Sequence, residues 1–413
     1  TNVQVTNLGG LGALTSGNGI ELISAVGGAT TTAQTTKSAF SLAGGHVDAG
    51  AYEYRLYAAD ASGAGENWYL RSTTTAVPPA TGGGLVVPTY RAEVPLYAAL
   101  PEQFREASLA MLGGLRQRTG DDIRPASNDA GSAAPGQAYR QAWGRVISTD
   151  RIISQGGTVS PTSKGRLTGF QAGTDLWADP NWRVGVYVGQ LDGDMRVTGF
   201  ASGLANLGVG SSDLRSEYIG AYATWKNGSG LYVDGVLQGG RHRYTASPTL
   251  SFGSSGKGDS LLAAIEVGQS FAITPNWSIE PQLQLVHQRV SLDNTSIVGA
   301  LVQQDSHDGW LVRAGVRLKG EIATSAGLLQ PYVRVNVHRS SSGTDVTRFI
   351  GPAGFTDIAT RTGGTSTELA GGASWQLSRT TSLYGEVSKL WDLSGDTRTR
   401  SGINASAGFK MLW

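Results

Sequence analysis

The residues able to do chemistry are present but dispersed. Five histidines (His46, His242, His287, His307 and His338) stand far apart, and no HExxH or GxSxG arrangement primes zinc or serine chemistry. The stretch GSSGKGD at 253–259 has the glycines and lysine of a phosphate loop. Gly258 stands where that loop needs Ser or Thr, so the stretch reads as a turn. A set of charged groups occupies alternate positions of long segments: Asp175, Arg183, Glu266, Glu280, Arg313, Arg317, Arg334, Glu368 and Glu386, with the polar Gln282 among them. Carboxylates and guanidiniums on one face of successive strands suit mutual balancing across a wet interior better than proton transfer. No metal site, cofactor or catalytic constellation is expected, and the chain does not read as an enzyme.

What positions these groups is a period of two. In WSIEPQLQLVHQ (277–288), Trp277, Ile279, Pro281, Leu283 and Leu285 alternate with Ser278, Glu280, Gln282 and Gln284. Successive side chains of a strand leave opposite faces, so this is a strand with one apolar and one polar side. NWRVGVYVG, VRAGVRLKG and QPYVRVNVH repeat it. About twelve such segments begin near 139, 164, 182, 214, 231, 260, 276, 309, 328, 366, 381 and 402. Tight polar turns (ADPN, KNGSG, ITPN, TSAG, SRTT) alternate with longer loops expected at 154–163, 199–213, 245–258, 292–308, 340–365 and 393–401. An even strand number, with short turns at one end and long loops at the other, is the plan of a transmembrane barrel.

Composition agrees. Thirty-three basic and 32 acidic residues leave a formal charge of +1, so no pull toward nucleic acid is expected. Fifty-nine glycines suit crowded β structure, and the absence of cysteine suits an export route without disulfides. No uncharged apolar run reaches the roughly 20 residues of a membrane-spanning helix, which leaves a β-barrel open. The opening residues lack a basic and apolar leader, so the chain is expected to be a mature or truncated piece. Trp143, Trp177, Trp182, Trp225, Trp277, Trp310, Trp391 and Trp413 collect at segment ends, as an interfacial belt requires. Ala405, Ala407, Phe409, Met411 and Trp413 take every second position back from the carboxyl end.

Ahead of the barrel, residues 1–77 hold short alternating pieces at a spacing that suits rungs of a parallel β-helix, with a small sandwich as the alternative. Residues 78–100 read as a connector. PEQFREASLAMLGGLRQR (101–118) reads as a helix with Pro101 in its first turn. Phe104, Ser108, Met111 and Leu115 lie on one stripe, and the helix is roughly 27 Å long, close to the apolar height of a barrel. Residues 119–137 are a polar linker, and the barrel occupies 138–413.

Several stretches resemble the AIDA-like and pertactin-like autotransporters of Gram-negative bacteria. NLGGLGALTSGNGIELI, VDAGAYEYRLY and NWYLRS look like the autochaperone end of a passenger. YRAEVPLYAALP with AMLGGLRQRTGD looks like a connector and pore helix, and AWGRV, GFQAGTDLW, EPQLQLVHQ and SLYGEVS look like translocator strands. The resemblance implies an all-β protein: a twelve-stranded antiparallel transmembrane barrel with a helix in its pore, preceded by the end of a parallel β-helix. It implies an outer-membrane translocator that moves its own N-terminal passenger, an adhesin or virulence factor, to the cell surface. Phe104, Arg105, Met111, Leu115, Arg116 and Arg118 would lie in the pore, and the charged residues above would face its lumen. The C-terminal residues would be the signal read by the barrel-assembly machinery. Outer-membrane lipid, that machinery, periplasmic chaperones and the passenger are the expected partners of a monomer, with residues 1–77 at the cell surface. Some relatives cut their passenger by asparagine cyclisation, which makes Asn128, followed by Asp129, a candidate nucleophile beside the simpler reading of a linker residue. A passive porin-like channel and a secreted β-rich adhesin are the competing readings.

Overall fold

The computed structural model describes residues 1–32, 37–76, 84–123, 139–249, 251–352 and 354–413. Twelve strands form the barrel: β1 Gln141–Gln155, β2 Thr162–Ala178, β3 Trp182–Ala201, β4 Leu204–Lys226, β5 Leu231–Pro248 and β6 Ser254–Gln269. They continue with β7 Trp277–Leu292, β8 Gly309–Gly320, β9 Gly327–Ser340, β10 Gly364–Gln376, β11 Thr381–Gly395 and β12 Asn404–Leu412. Each pairs antiparallel with the next, and β12 returns to β1 over Ala405↔Ser148 to Leu412↔Gln141. Closure satisfies every strand edge within the sheet, which an apolar medium demands.

The two faces follow the sequence period. Val186, Val188, Ile219, Leu237, Leu283, Val335 and Val387 project outward and are exposed, whereas their alternate neighbours are buried. Trp177, Trp182, Trp277, Trp310, Trp391 and Trp413 are likewise on the outside. Trp143 departs from the expected belt: it is buried, and its Nε1 donates to the Tyr222 hydroxyl at 3.2 Å. It shares the inward phase of β1 with Arg145, and phase outranks position along the strand.

The loop expected at 199–213 is strand instead. β3 and β4 form one long hairpin closed at Ser202–Gly203, both at positive φ, the geometry of a tight hairpin turn. At the same end Thr295–Ile297, Ala300–Asp305, Gly343–Ile350 and Phe355–Thr362 build a separate four-stranded antiparallel sheet, hereafter the loop sheet.

The N-terminal region is β-rich and mostly antiparallel. Ile20–Ile23, Trp68–Arg71, Tyr52–Ala58 and Val47–Ala49 form one sheet, and among the described residues the parallel rung is limited to Asn2–Val3 beside Ser41–Leu42. The region sits on the long-loop end. Gly50 N–H donates to the Gly299 carbonyl (3.0 Å), and Arg91 grips Glu93 (2.7 and 3.0 Å) while donating to the Val298 carbonyl (2.6 Å).

Helix α1 is Glu93–Leu112 and α2 is Leu115–Thr119. The helix therefore starts eight residues before its expected position, inside the expected connector, and Pro101 lies within it rather than in its first turn. Gly113 and Gly114 divide it. Gly113 sits at φ +57, and a Cβ there would come 2.9 Å from the Arg145 guanidinium. Glycine adopts that positive φ without the strain an L side chain would bring.

Candidate functional site: the occupied lumen

Both helices lie in the bore. Seventeen of the 20 residues of α1 are buried, on all sides, where a helix resting on a surface would bury one stripe. The helix enters from the long-loop end. Leu96 and Ala99 pack with Val197, Ala201 and Val209, and Tyr97 meets Tyr244 and Phe349 edge-on at 6.2 and 6.3 Å. Phe104 lies over His242 with ring centroids 4.5 Å apart. Met111 fills the space above Gly189, where a Cβ would come within 2.6 Å of its sulfur. Leu115 is buried at the start of α2.

The charged groups of the helices meet partners on the wall. Arg105 reaches both oxygens of Asp345 (2.7 and 2.6 Å) and Glu102 (2.9 Å). Arg116 reaches Glu280 (3.2 Å) and Asp122 (2.9 Å), and Arg118 reaches Asp234 (2.6 Å). Beyond α2, Asp121 takes a two-bond grip from Arg317 (2.7 and 2.6 Å) and Asp122 takes Lys226 (2.5 Å). Where the pair is buried, as Arg118–Asp234 and Arg317–Asp121 are, removing either member would leave the other in a medium that solvates it poorly.

The ten groups expected to line the lumen all point inward. Glu266 joins Arg313 (2.8 Å), the Tyr232 hydroxyl (2.8 Å) and the Leu115 N–H (3.3 Å), and so touches the start of α2. Glu386 joins Arg334 (2.6 Å), Tyr332 (2.9 Å) and Gln117 (2.8 Å). Gln282 donates to Glu280 (2.8 Å), Glu368 accepts from Asn336 (2.7 Å), and Asp175 takes Arg183 (2.6 Å). Glu266, Glu280, Arg317 and Glu386 thus contact the α2 segment directly, whereas Asp175, Arg183 and Glu368 brace the wall.

Four functional contacts escaped sequence reading: Arg145 donating to the Met111 carbonyl at the end of α1 (2.8 Å), Asp234, Asp345 and the Asp121–Asp122 pair. Arg145 and Asp234 carry the inward strand phase and were findable by it; the other partners are set by tertiary placement alone. Ala405, Ala407, Phe409 and Met411 on β12, and Trp413 just after it, face outward and are exposed. Asn128 and Asp129 lie outside the described residues.

A closed twelve-stranded barrel, apolar outside and polar inside around a helix, is an outer-membrane protein whose pore is filled by its own chain. The model of the Autotransporter beta-domain matches residues 142–388 and that of Autochaperone Domain Type 1 matches residues 1–56, so the chain belongs to the autotransporter family. It is similar to the adhesin BmaC autotransporter of Brucella suis biovar 1, with 32% identity over 318 residues, 71% of this chain and 9% of that protein. It is also similar to the autotransporter CRAC of Citrobacter rodentium, with 27% identity over 402 residues, 91% of this chain and 22% of that protein. The chain thus spans less than a quarter of the length of these two relatives. The fold matches the transport unit of the autotransporter AIDA-I from Escherichia coli at a TM-score of 0.57 and 16% identity, covering 79% of this chain and all of that one.

Proposed function

We propose that the barrel carries the polypeptide preceding α1 to the cell surface and that α1 and α2 then close the bore. The observation that carries this reading is the path of the chain. Short turns of outer-membrane barrels face the periplasm and long loops face outward. The region 1–76 lies at the long-loop end, α1 runs inward from it, and β1 begins at the turn end beside Trp413, where Arg140 and Trp413 exchange backbone hydrogen bonds (3.1 and 2.9 Å). Everything before residue 93 has therefore crossed the bore while the barrel starts on the other side.

In this reading residues 1–77 are the passenger's folding end, and the segment around α1 and α2 is the connector and plug. The residues after Asp122 link the plug to a barrel starting near 138. The passenger is adhesive, in keeping with the name of the Brucella adhesin that the chain resembles. The outward residues Ala405, Ala407, Phe409, Met411 and Trp413 serve as the signal for the barrel-assembly machinery, and periplasmic chaperones hold the chain beforehand. An epitope placed before Thr1 tests export: antibody staining on intact cells supports it, and staining only after permeabilisation overturns it. Autocleavage at Asn128 belongs to the same reading and is tested by intact mass of the barrel from cells. An N-terminus at Asp129 supports it, and any other removes it.

A further inference from the structure

Proline inside α1 raises a specific difficulty. Pro101 has no N–H, so the carbonyl of Tyr97, one turn earlier, loses its helical donor in a buried place. The wall supplies the missing donor. Gln304 Nε2 donates to that carbonyl at 2.9 Å, and Gln304 Oε1 accepts from the Thr347 hydroxyl at 2.8 Å, which fixes the orientation of the amide. Two turns along from Tyr97, on the same helix face, Arg105 enters Asp345. Asp345 is 1% exposed and is itself aligned by the His307 N–H at 2.8 Å, while Arg105 also donates to the His307 carbonyl at 2.8 Å. Gln304, Thr347 and Asp345 all belong to the loop sheet, which folds over the bore instead of away from it.

We propose that the loop sheet is a register clamp, which recognises the Tyr97–Pro101–Arg105 face and arrests the chain at one position in the pore. The inference rests on the export reading, because a stop is needed only by a chain that moves. Sliding the helix by one turn, about 5.4 Å, would bring Gln304 to a carbonyl already bonded within the helix. The same slide would set the buried Asp345 carboxylate against Leu109 or Pro101. Either outcome leaves a buried polar group without its partner. An unbroken apolar helix would offer no such preference, since dispersion contacts recur at each turn. The proline is therefore the mark that the clamp reads.

The test uses the purified, refolded full chain. Because the protein has no cysteine, Ser108→Cys, buried mid-plug, can report opening by its rate of maleimide labelling. Gln304→Ala is expected to raise that rate about fivefold, the worth of one buried hydrogen bond. In a Pro101→Ala background the helix regains its own donor, and the same change is expected to raise the rate less than twofold. Equal effects in both backgrounds, or none in either, would overturn the clamp. Ser108 Oγ lies 3.4 Å from Ser260 Oγ, so a Ser108→Cys/Ser260→Cys disulfide reads the register directly. Adding Gln304→Ala and Asp345→Asn is expected to let Ser260→Cys also trap a cysteine at 104 or 112, and retention of the 108 pairing alone would count against the proposal. These readouts do not depend on export in cells, so their failure is separable from a passenger that never reaches the surface.

Discussion

The two ends of the lumen hold the same chain by different physics. Toward the long loops, α1 meets β3–β5 mainly through Leu96, Ala99, Tyr97, Phe104 and Met111, a collar of apolar and aromatic contact. Toward the short turns, α2 and the following aspartates meet the wall through Arg116, Arg118, Asp121 and Asp122, each in an ion pair. Apolar contact is non-directional and tolerates sliding and repacking. Buried ion pairs lose most of their hydration, so they hold only in one geometry and are costly to break singly. The collar therefore supplies adhesion, and the mouth supplies directional contacts. The Arg105–Asp345 pair, set within the collar, imports that directional character where the loop sheet closes.

The contrast can be broken most severely at the mouth. Arg317→Ala takes the two-bond partner from buried Asp121, leaving it the Ser374 hydroxyl at 3.2 Å and Lys319 at 3.9 Å, and is expected to destabilise plug docking by about 4 kcal/mol. Labelling of a cysteine at Thr119 should rise steeply, while one at Ser108 changes little; equal rises at both sites would mean that the two ends are one cooperative unit. In the collar, Phe104→Ala is expected to cost about 3 kcal/mol and to act on Ser108 first. Crowding has a smaller effect. Gly189→Ala pushes a methyl against Met111 and the Phe170 carbonyl, for an expected loss of about 2 kcal/mol, read as faster labelling at Ser108. At the weak limit Lys226→Ala removes a partner from Asp122, whose side chain is 55% exposed, and should cost less than about 1 kcal/mol by the same labelling at Thr119. A loss there as large as that from Arg317→Ala would erase the distinction between buried and exposed pairs.

The barrel was legible because lipid and water impose opposite demands on alternate residues. A pattern such as Leu283–Gln284–Leu285 therefore states its own orientation. The inward residues were legible for the same reason. The plug's first turns were not. Pro101 looks like a helix start because prolines favour the first turn, and the donor that makes it tolerable, Gln304, lies some 200 residues away. Residues 93–100 are buried all round and so carry no amphipathic stripe. Glycines between 199 and 213 suggested a loop, but in a long hairpin they admit large neighbours, as Gly199 admits Pro95. The partners of Arg105 and Arg317 depend on which elements meet in space, and no local pattern encodes that.

Conductance in planar bilayers tests the central claim most directly, since it asks whether α1 and α2 are what fills the pore. The full chain should pass little current, and deletion of residues 93–119 should give a steady, several-fold larger conductance. Unchanged conductance after the deletion would contradict the assignment of these helices as the plug.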